Sequence, residues 1–315
     1  MTNSRRTFIK KIGVAALTTP LVPSPIHLFD FDQKKDPLEV HIFSKHLQFL
    51  DWKAAAQVAA DIGFYGLDLT VRPKGHVFPE KVKEELPKAI NDIKSAGLSC
   101  DMITTAISDA SNPLDADIIK SAAAQGVKFY RSNWFKYKAD WSFEESLDYY
   151  EDKVRELSDL NAQYGIVGCY QNHSGTSIGS SVWEVKKILG TANPKYFGAQ
   201  YDIRHAVAEG GRSWSNGVKL LRSQIKTIVL KDFKWGKVSG KWKIVNVPIG
   251  EGMVDFNSYF QLLKSFGLKP PVSLHLEYPL GGAEKGLPDI SVDQQVVFDA
   301  MKKDLTAIQQ LWQNA

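Results

Sequence analysis

The chain has only two cysteines in 315 residues, Cys100 and Cys169, and no C-x-x-C pair. Both fall within predicted strands far apart in sequence, so buried free thiols are expected rather than a disulfide or a thiolate metal site. No apolar run reaches the roughly 20 residues that a bilayer-spanning helix needs. A Gly-rich phosphate-binding turn after the first strand is missing, which argues against a doubly wound dinucleotide fold. Internal repeats and low-complexity tracts are absent. The body also lacks net charge. The overall balance is +4, but Arg5, Arg6, Lys10 and Lys11 fall in the first thirty residues, where Asp30 is the only acid. Setting those four aside leaves 35 basic residues against 35 acidic ones, which removes the electrostatic case for nucleic acid or an anionic membrane as a partner.

What is present begins with Ser4-Arg5-Arg6-Thr7-Phe8 ahead of a modest apolar run, Ile12 to Val22. This resembles a twin-arginine export signal, which directs a folded protein to the periplasm. The alternative, a basic amphipathic helix, is opposed by Pro20, Pro23 and Pro25. The expected organisation is a leader over residues 1–30 and one domain over 31–315. No small-x-small cleavage site stands out, so membrane attachment arises only through an uncleaved leader.

Beyond a linker at about residues 26–37, strand and helix signals alternate. The pattern predicts strands at 38–43, 66–71, 98–104, 127–132, 166–171, 196–202, 225–231 and 272–277. Helices are predicted at Trp52–Ile62, Val82–Ala96, Phe143–Tyr164 and Val292–Trp312, among others. Gly63, Gly97, Gly126 and Gly165 each stand just before a strand, where glycine supplies a left-handed helix cap. Eight such units predict a single (β/α)8 TIM barrel, an α/β fold. Between the seventh and eighth strands, Trp235–Trp242 reads as a hairpin.

Four strands end in polar clusters: Gln171-Asn172-His173, Asp202-Ile203-Arg204-His205, Lys231-Asp232 and His275-Leu276-Glu277. Catalytic groups of a barrel come from such strand ends. Asp202 and Glu277 follow runs of apolar and small residues, where an unpaired buried carboxylate is costly. They are either metal ligands or acids paired with Arg131 or Lys231. Lys231 at an inward-facing end is either an acid/base or Schiff-base group, or a salt-bridge partner of Asp202 or Glu277. By strand alternation His275 shares the face of Glu277. His41, Arg72, His76, Arg131 and His205 are candidate substrate contacts. Trp134, Trp235 and Trp242 either offer flat surfaces to a sugar ring or cap the barrel.

Taken in order, these residues resemble the xylose isomerase-like TIM-barrel superfamily of sugar phosphate isomerases and epimerases. The resemblance spans about residues 38–312. It is carried by Gly63–Asp68, Gln171-Asn172-His173, Asp202 with His205, Leu230-Lys231-Asp232, Pro248–Gly252 and Glu277. It implies one divalent metal (Mn, Mg, Zn or Co), with Asp202 and Glu277 as ligands. Gln171 stands where the family has Glu, and Val229 where it has His. Gln171 can still offer an amide oxygen; Val229 offers nothing, so His173, His205 or waters would complete the set. The resemblance further implies an enediolate mechanism with Glu277 as base and Lys231, His173 or Glu251 as the second proton-transfer group.

The expected function is an exported isomerase, epimerase or related lyase that moves a proton alpha to the carbonyl of an unphosphorylated small-molecule sugar. The alternative is a carbohydrate-binding barrel with a degenerate metal site and no turnover. An oligomer is compatible with either. Phosphodiester cleavage is disfavoured, because it wants a multi-metal histidine cluster and a basic groove.

Overall fold

The computed structural model describes residues 37–315; the leader and the domain boundary expected at residue 31 lie outside them. Eight strands close into a barrel: β1 (Val40–Phe43), β2 (Gly66–Val71), β3 (Ser99–Thr105), β4 (Phe129–Arg131), β5 (Val167–Gln171), β6 (Phe197–Asp202), β7 (Ile225–Leu230) and β10 (Val272–Leu274). Their order is β1-β10-β7-β6-β5-β4-β3-β2, and every pairing is parallel. The chain thus forms the predicted (β/α)8 barrel. Between β7 and the last barrel strand, β8 (Asp232–Val238) and β9 (Lys241–Val247) form an antiparallel hairpin outside the barrel.

The helices are α1 (Trp52–Ile62), α2 (Val82–Ser95), α3 (Pro113–Ala124), α4 (Phe143–Tyr164), α5 (Val182–Ile188), α6 (Ile203–Gly210), α7 (Trp214–Leu221), α8 (Phe256–Ser265) and α9 (Gln294–Asn314). Local chemistry fixes their ends. Asp51 caps α1 by accepting from the Ala54 backbone at 2.8 Å. Ser142 and Glu145 form a reciprocal capping box on α4, satisfying two of the orphan N–H groups of the first turn. Gly63 and Gly165 close α1 and α4 at φ 99° and 72°, a backbone that a β-carbon disfavours. Among the described residues no helix is long and apolar enough to cross a membrane.

Barrel strands buried on both faces read as continuous apolar runs, as Ile228–Leu230 does at the end of β7. Polar side chains interrupt the interior where strands can satisfy one another. Asp68 on β2 accepts from Thr104 on β3 at 3.0 Å and from Ser273 on β10 at 2.6 Å. Since β1 lies between β2 and β10, that second bond passes through the barrel interior.

Three predicted strands stop early, the fourth strand by one residue at Arg131, and the ends of the seventh and eighth shape the site. The seventh ends at Leu230, so Lys231 links the barrel to the hairpin. The eighth leaves the ladder after Leu274: the Leu276 backbone N–H donates to His46 Nε2 at 3.0 Å instead of to a strand. Glu277 therefore sits in a loop above the β10 end.

Candidate active site at the C-terminal mouth

Asp202 ends β6 and caps α6, with Oδ1 accepting from the His205 backbone at 3.1 Å. Its Oδ2 lies 3.1 Å from Lys231 Nζ and accepts from Gln171 Nε2 at 2.8 Å. Asn172 clasps the same residue from outside, donating to its carbonyl at 2.9 Å and accepting from its N–H at 2.8 Å. The Gln171-Asn172 pair thus holds Asp202 in place. His205 Nε2 stands 3.5 Å from Oδ2.

Glu277 faces Lys45, which follows β1, at 3.0 Å, and His275 Nδ1 at 3.6 Å. Burial opposes its ionisation. The His275 imidazole beside it and the charges of Lys231 and Lys45 override that cost and hold its carboxyl well below the usual carboxylate range. His275 stacks on Phe43 with ring centroids 4.3 Å apart, and its Nε2 lies 3.1 Å from Ser273 Oγ. A polar chain therefore descends from Glu277 through His275 and Ser273 to Asp68.

Imidazoles at this end are held neutral. Burial, followed by the nearby Lys231 charge, pushes His173 down to about 4 and His205 well below its ordinary value. The rings of His173 and His205 lie 4.0 Å apart, and Trp134 covers His173 at 4.5 Å. Arg204 bonds Ser174 at 3.2 Å and Asn246 of β9 at 2.5 Å. Asn246 also donates to the Glu277 carbonyl at 3.2 Å, so the base of the hairpin is tied across the mouth.

Beside this group a cavity of about 890 Å³ opens, with Arg72, Arg131 and Trp134 in its wall. The Arg131 guanidinium lies 4.2 Å from the Trp134 ring and reaches Gln171 Oε1 at 3.4 Å. It therefore joins the cavity to Asp202.

Lys231, Asp202, Gln171, His173, His205 and Glu277 thus gather at one end, with Arg72 and Arg131 alongside. Four other predicted contacts are placed elsewhere. His41 is at the start of β1, in register with Gly66 and Ser273. It feels the charges of Asp101 and Lys128 at the opposite, N-terminal end of the barrel. A β-carbon at Gly66 would meet the imidazole at 2.6 Å, so this glycine makes room for a floor residue. His76 is spent on structure, with Nδ1 3.1 Å from Ser44 Oγ and Nε2 3.2 Å from the Leu47 carbonyl. Glu251 is half-exposed and pairs with Lys303 of α9 at 2.5 Å, away from the Asp202 group. Trp235 is exposed on the hairpin, edge-on to Phe233.

Sequence reasoning missed Asn246 and Ser273. Nothing in the alternating hairpin sequence marks Asn246. Ser273 could have been found, because it stands two residues before His275 and so shares its face. Asp232 has a structural role distinct from its neighbour: it accepts four backbone N–H groups, from Phe233, Gly250, Gly252 and Val254, between 2.8 and 3.2 Å. A β-carbon at Gly252 would meet its carboxylate at 2.2 Å, so glycine is required there.

The donor set does not fit a divalent ion. Asp202 Oδ2 is taken by Lys231 and Gln171, and Glu277 Oε1 by Lys45. Val229, in register with Asp202, presents a fully buried hydrocarbon where the ligand from β7 would lie. Gln171 turns its amide N–H onto Asp202 rather than offering its oxygen beside it. Among the described residues no group of three or more His, Cys, Asp or Glu side chains could hold a metal.

The fold has many solved counterparts. D-psicose 3-epimerase from Clostridium cellulolyticum H10, solved with D-tagatose, superposes with a TM-score of 0.65 at 12% identity, covering 87% of this chain and 99% of the other. For 3-keto-D-glucoside 4-epimerase from E. coli the TM-score is 0.62 at 12% identity, covering 84% and 97%. A xylose isomerase-like TIM barrel protein from Mycobacterium smegmatis, solved in complex with magnesium, gives 0.63 at 11%, covering 87% and 98%. At these identities the likeness is one of fold. No curated protein matches the sequence. The sequence profile of the family described as "Xylose isomerase-like TIM barrel" matches residues 56–291, most of the chain and all but one of its barrel strands, and the chain belongs to that family.

Proposed function

We propose that the protein is an exported enzyme that moves a proton alpha to the carbonyl of a carbohydrate, as an isomerase, an epimerase or a related lyase. The observation that carries this reading is the pairing, at one barrel end, of an ionised, partly accessible carboxylate with a buried ammonium. Glu277 retains 26% of its side-chain exposure, against 6% for Lys231 and none for Asp202. A base must be reachable by the substrate; a charge-stabilising group works best out of water.

In this scheme Glu277 takes the alpha proton, and the C–H electron pair becomes the carbon–carbon double bond of an enediolate. Negative charge collects on the former carbonyl oxygen. Lys231 has three N–H donors and directs one to Asp202, leaving others to stabilise that oxygen. Return of the proton to the neighbouring carbon gives isomerisation, to the opposite face epimerisation; loss of a beta hydroxyl gives elimination. Lys231 takes the electrophilic role because the donor set does not suit a divalent ion. The solved epimerases of the same fold support the choice of a sugar substrate. The Ser4-Arg5-Arg6-Thr7-Phe8 pattern supports export to the periplasm, where unphosphorylated sugars predominate over sugar phosphates.

The test is solvent exchange. Neutral ketoses, 3-keto glycosides and sugar acids are incubated with the protein in deuterium oxide and followed by proton NMR. Exchange at a carbon next to a carbonyl, lost in Lys231→Met and Glu277→Gln, is expected. Tight sugar binding with no exchange on any substrate would identify a binding barrel instead.

A further inference from the structure

Resting on the reading of the barrel mouth as a carbohydrate site, we propose that Arg72 and Arg131 hold an anionic group of the substrate, making it an acidic rather than a neutral carbohydrate. The observation is the charge of the cavity wall. The 890 Å³ cavity is lined by Arg72, Lys74, Arg131 and Lys285, and no acidic residue lines it. In a chain whose body is formally neutral, four cations without one carboxylate are a local concentration. Fields of one sign focused in such a cleft draw oppositely charged ligands.

The two arginines are also poorly satisfied by the protein. Arg131 is 5% exposed, yet its Nε has no hydrogen-bond partner and its Nη atoms make only long bonds, 3.3 Å to the Thr105 carbonyl and 3.4 Å to Gln171. The Arg72 side chain makes no hydrogen bond among the described residues; its guanidinium rests 5.4 Å from the Phe43 ring. A buried guanidinium with open donors is costly unless a partner arrives. Burial, then the neighbouring Arg72 charge, lowers Arg131 to about 9. Asp68 is the carboxylate below them, but its oxygens are already filled by Thr104 and Ser273. The other cations of the mouth each face a partner: Lys45 faces Glu277, Lys231 faces Asp202, and Arg204 faces Ser174 and Asn246. The arginine pair thus has capacity left for an incoming anion, and guanidinium forks match the planar oxygens of a carboxylate or those of a phosphate ester.

Placement fits the chemistry. Arg131 touches Gln171, which touches Asp202, so an anion held here leaves the rest of a sugar directed towards Lys231 and Glu277. Trp134, against which Arg131 is stacked, lines the same cavity.

The experiment is calorimetric titration of the full chain with D-galacturonate, D-galactose 6-phosphate and D-galactose at low ionic strength. At least tenfold tighter binding of either acid than of the neutral sugar is expected; whichever acid is preferred identifies carboxylate or phosphate as the source. Arg72→Gln should reduce that preference tenfold or more. Arg131→Lys, which keeps the charge and loses the fork, should reduce it less. Equal affinity for all three, or a preference that survives Arg72→Gln, overturns the proposal. Lys231→Met separates this inference from the catalytic one: it should abolish exchange and keep the preference for acids. A preference without exchange in the wild type would sink only the catalytic reading. Exchange of neutral sugars with no preference would sink only this one.

Discussion

Lys231 Nζ lies 3.1 Å from Asp202 Oδ2, and neither side chain is more than 6% exposed. One residue follows β7 and the other ends β6, so adjacent strands deliver opposite charges to the same point. The pair is what keeps a fully buried carboxylate tolerable. Removing the lysine alone strands that charge, at a cost of about 3–5 kcal/mol for a buried pair. Lys231→Met is therefore expected to lower unfolding stability by that amount in urea titrations. Lys231→Met combined with Asp202→Asn should recover most of it. A double variant no more stable than the single one would show that the two side chains are not coupled.

The same pair bears on metal. With Asp202 Oδ2 covered by an ammonium and Val229 buried at the next strand, the protein is expected to show no change in melting temperature or in exchange rate on chelation or on adding zinc or manganese. Installing Gln171→Glu, Val229→His and Lys231→Ala together supplies carboxylate and imidazole donors around Asp202 and removes the competing charge. That variant should gain metal-dependent stability, about 2.7 kcal/mol at a free metal concentration of ~100 Kd. A wild-type protein that itself melts higher with metal would overturn the reasoning.

How much of this was legible in the sequence follows from what each signal measures. Asp202 and Glu277 could be picked out because an acid after an apolar strand is costly without a partner. The partners, Lys231 and Lys45, come from different strands, and spacing along the chain says nothing of which pairs meet. Strand alternation gives the face of a residue but not its end of the barrel. His41 shares the face of Phe43, yet it lies near the start of β1 and so on the floor. Glu251 looked available because its Gly-Glu-Gly setting is that of a functional loop. The loop is held instead by Asp232, through its backbone N–H groups, and Glu251 turns outward to Lys303. Barrel closure was readable from eight alternating units; the early end of β10, which lifts Glu277 above the mouth, depends on His46 from another strand's loop.

Glu277→Gln keeps the shape of the base and removes its charge. The general-base contribution it is assigned corresponds to about 10²–10⁴-fold in rate, and exchange should fall by a factor in that range. Because Lys45 and Lys231 hold the ionised carboxylate, removing its charge should also lower stability at neutral pH. Because Lys45 and Lys231 hold Glu277 well below the usual carboxylate range, the wild-type rate should not fall as pH drops through 4 to 5, where an ordinary glutamate would be protonated, provided the protein remains folded. A rate that titrates away with an ordinary carboxylate midpoint would remove Glu277 from the role.

Between pH 6.5 and the ordinary carboxylate range, acid stability should be set by histidine; below it the depressed Glu277 carboxyl adds its own loss. His46 Nδ1 lies 3.2 Å from the Ala283 carbonyl, and Nε2 accepts from the Leu276 N–H at 3.0 Å, a pairing that only the neutral ring can make. Burial, then the adjacent Lys45 charge, lowers His46 to about 3, and burial brings His41 and His173 to about 4. The unfolded chain binds protons at these rings near pH 6.5, and the folded chain binds them only near 3 to 4. Between those values the unfolded state holds more protons, so stability rises with pH. The contribution is complete above pH 6.5 and is lost as pH falls towards the folded values, on the order of 3 kcal/mol per histidine. Urea midpoints measured from pH 8 to 4 should therefore decline steadily below about 6.5. His46→Gln should be less stable at pH 8, having lost its two-sided fit, but its midpoint should fall less steeply with acid, because one of the rings that takes up a proton on unfolding is gone. An unchanged slope in that variant would mean that His46 is not among the groups that limit folding in acid.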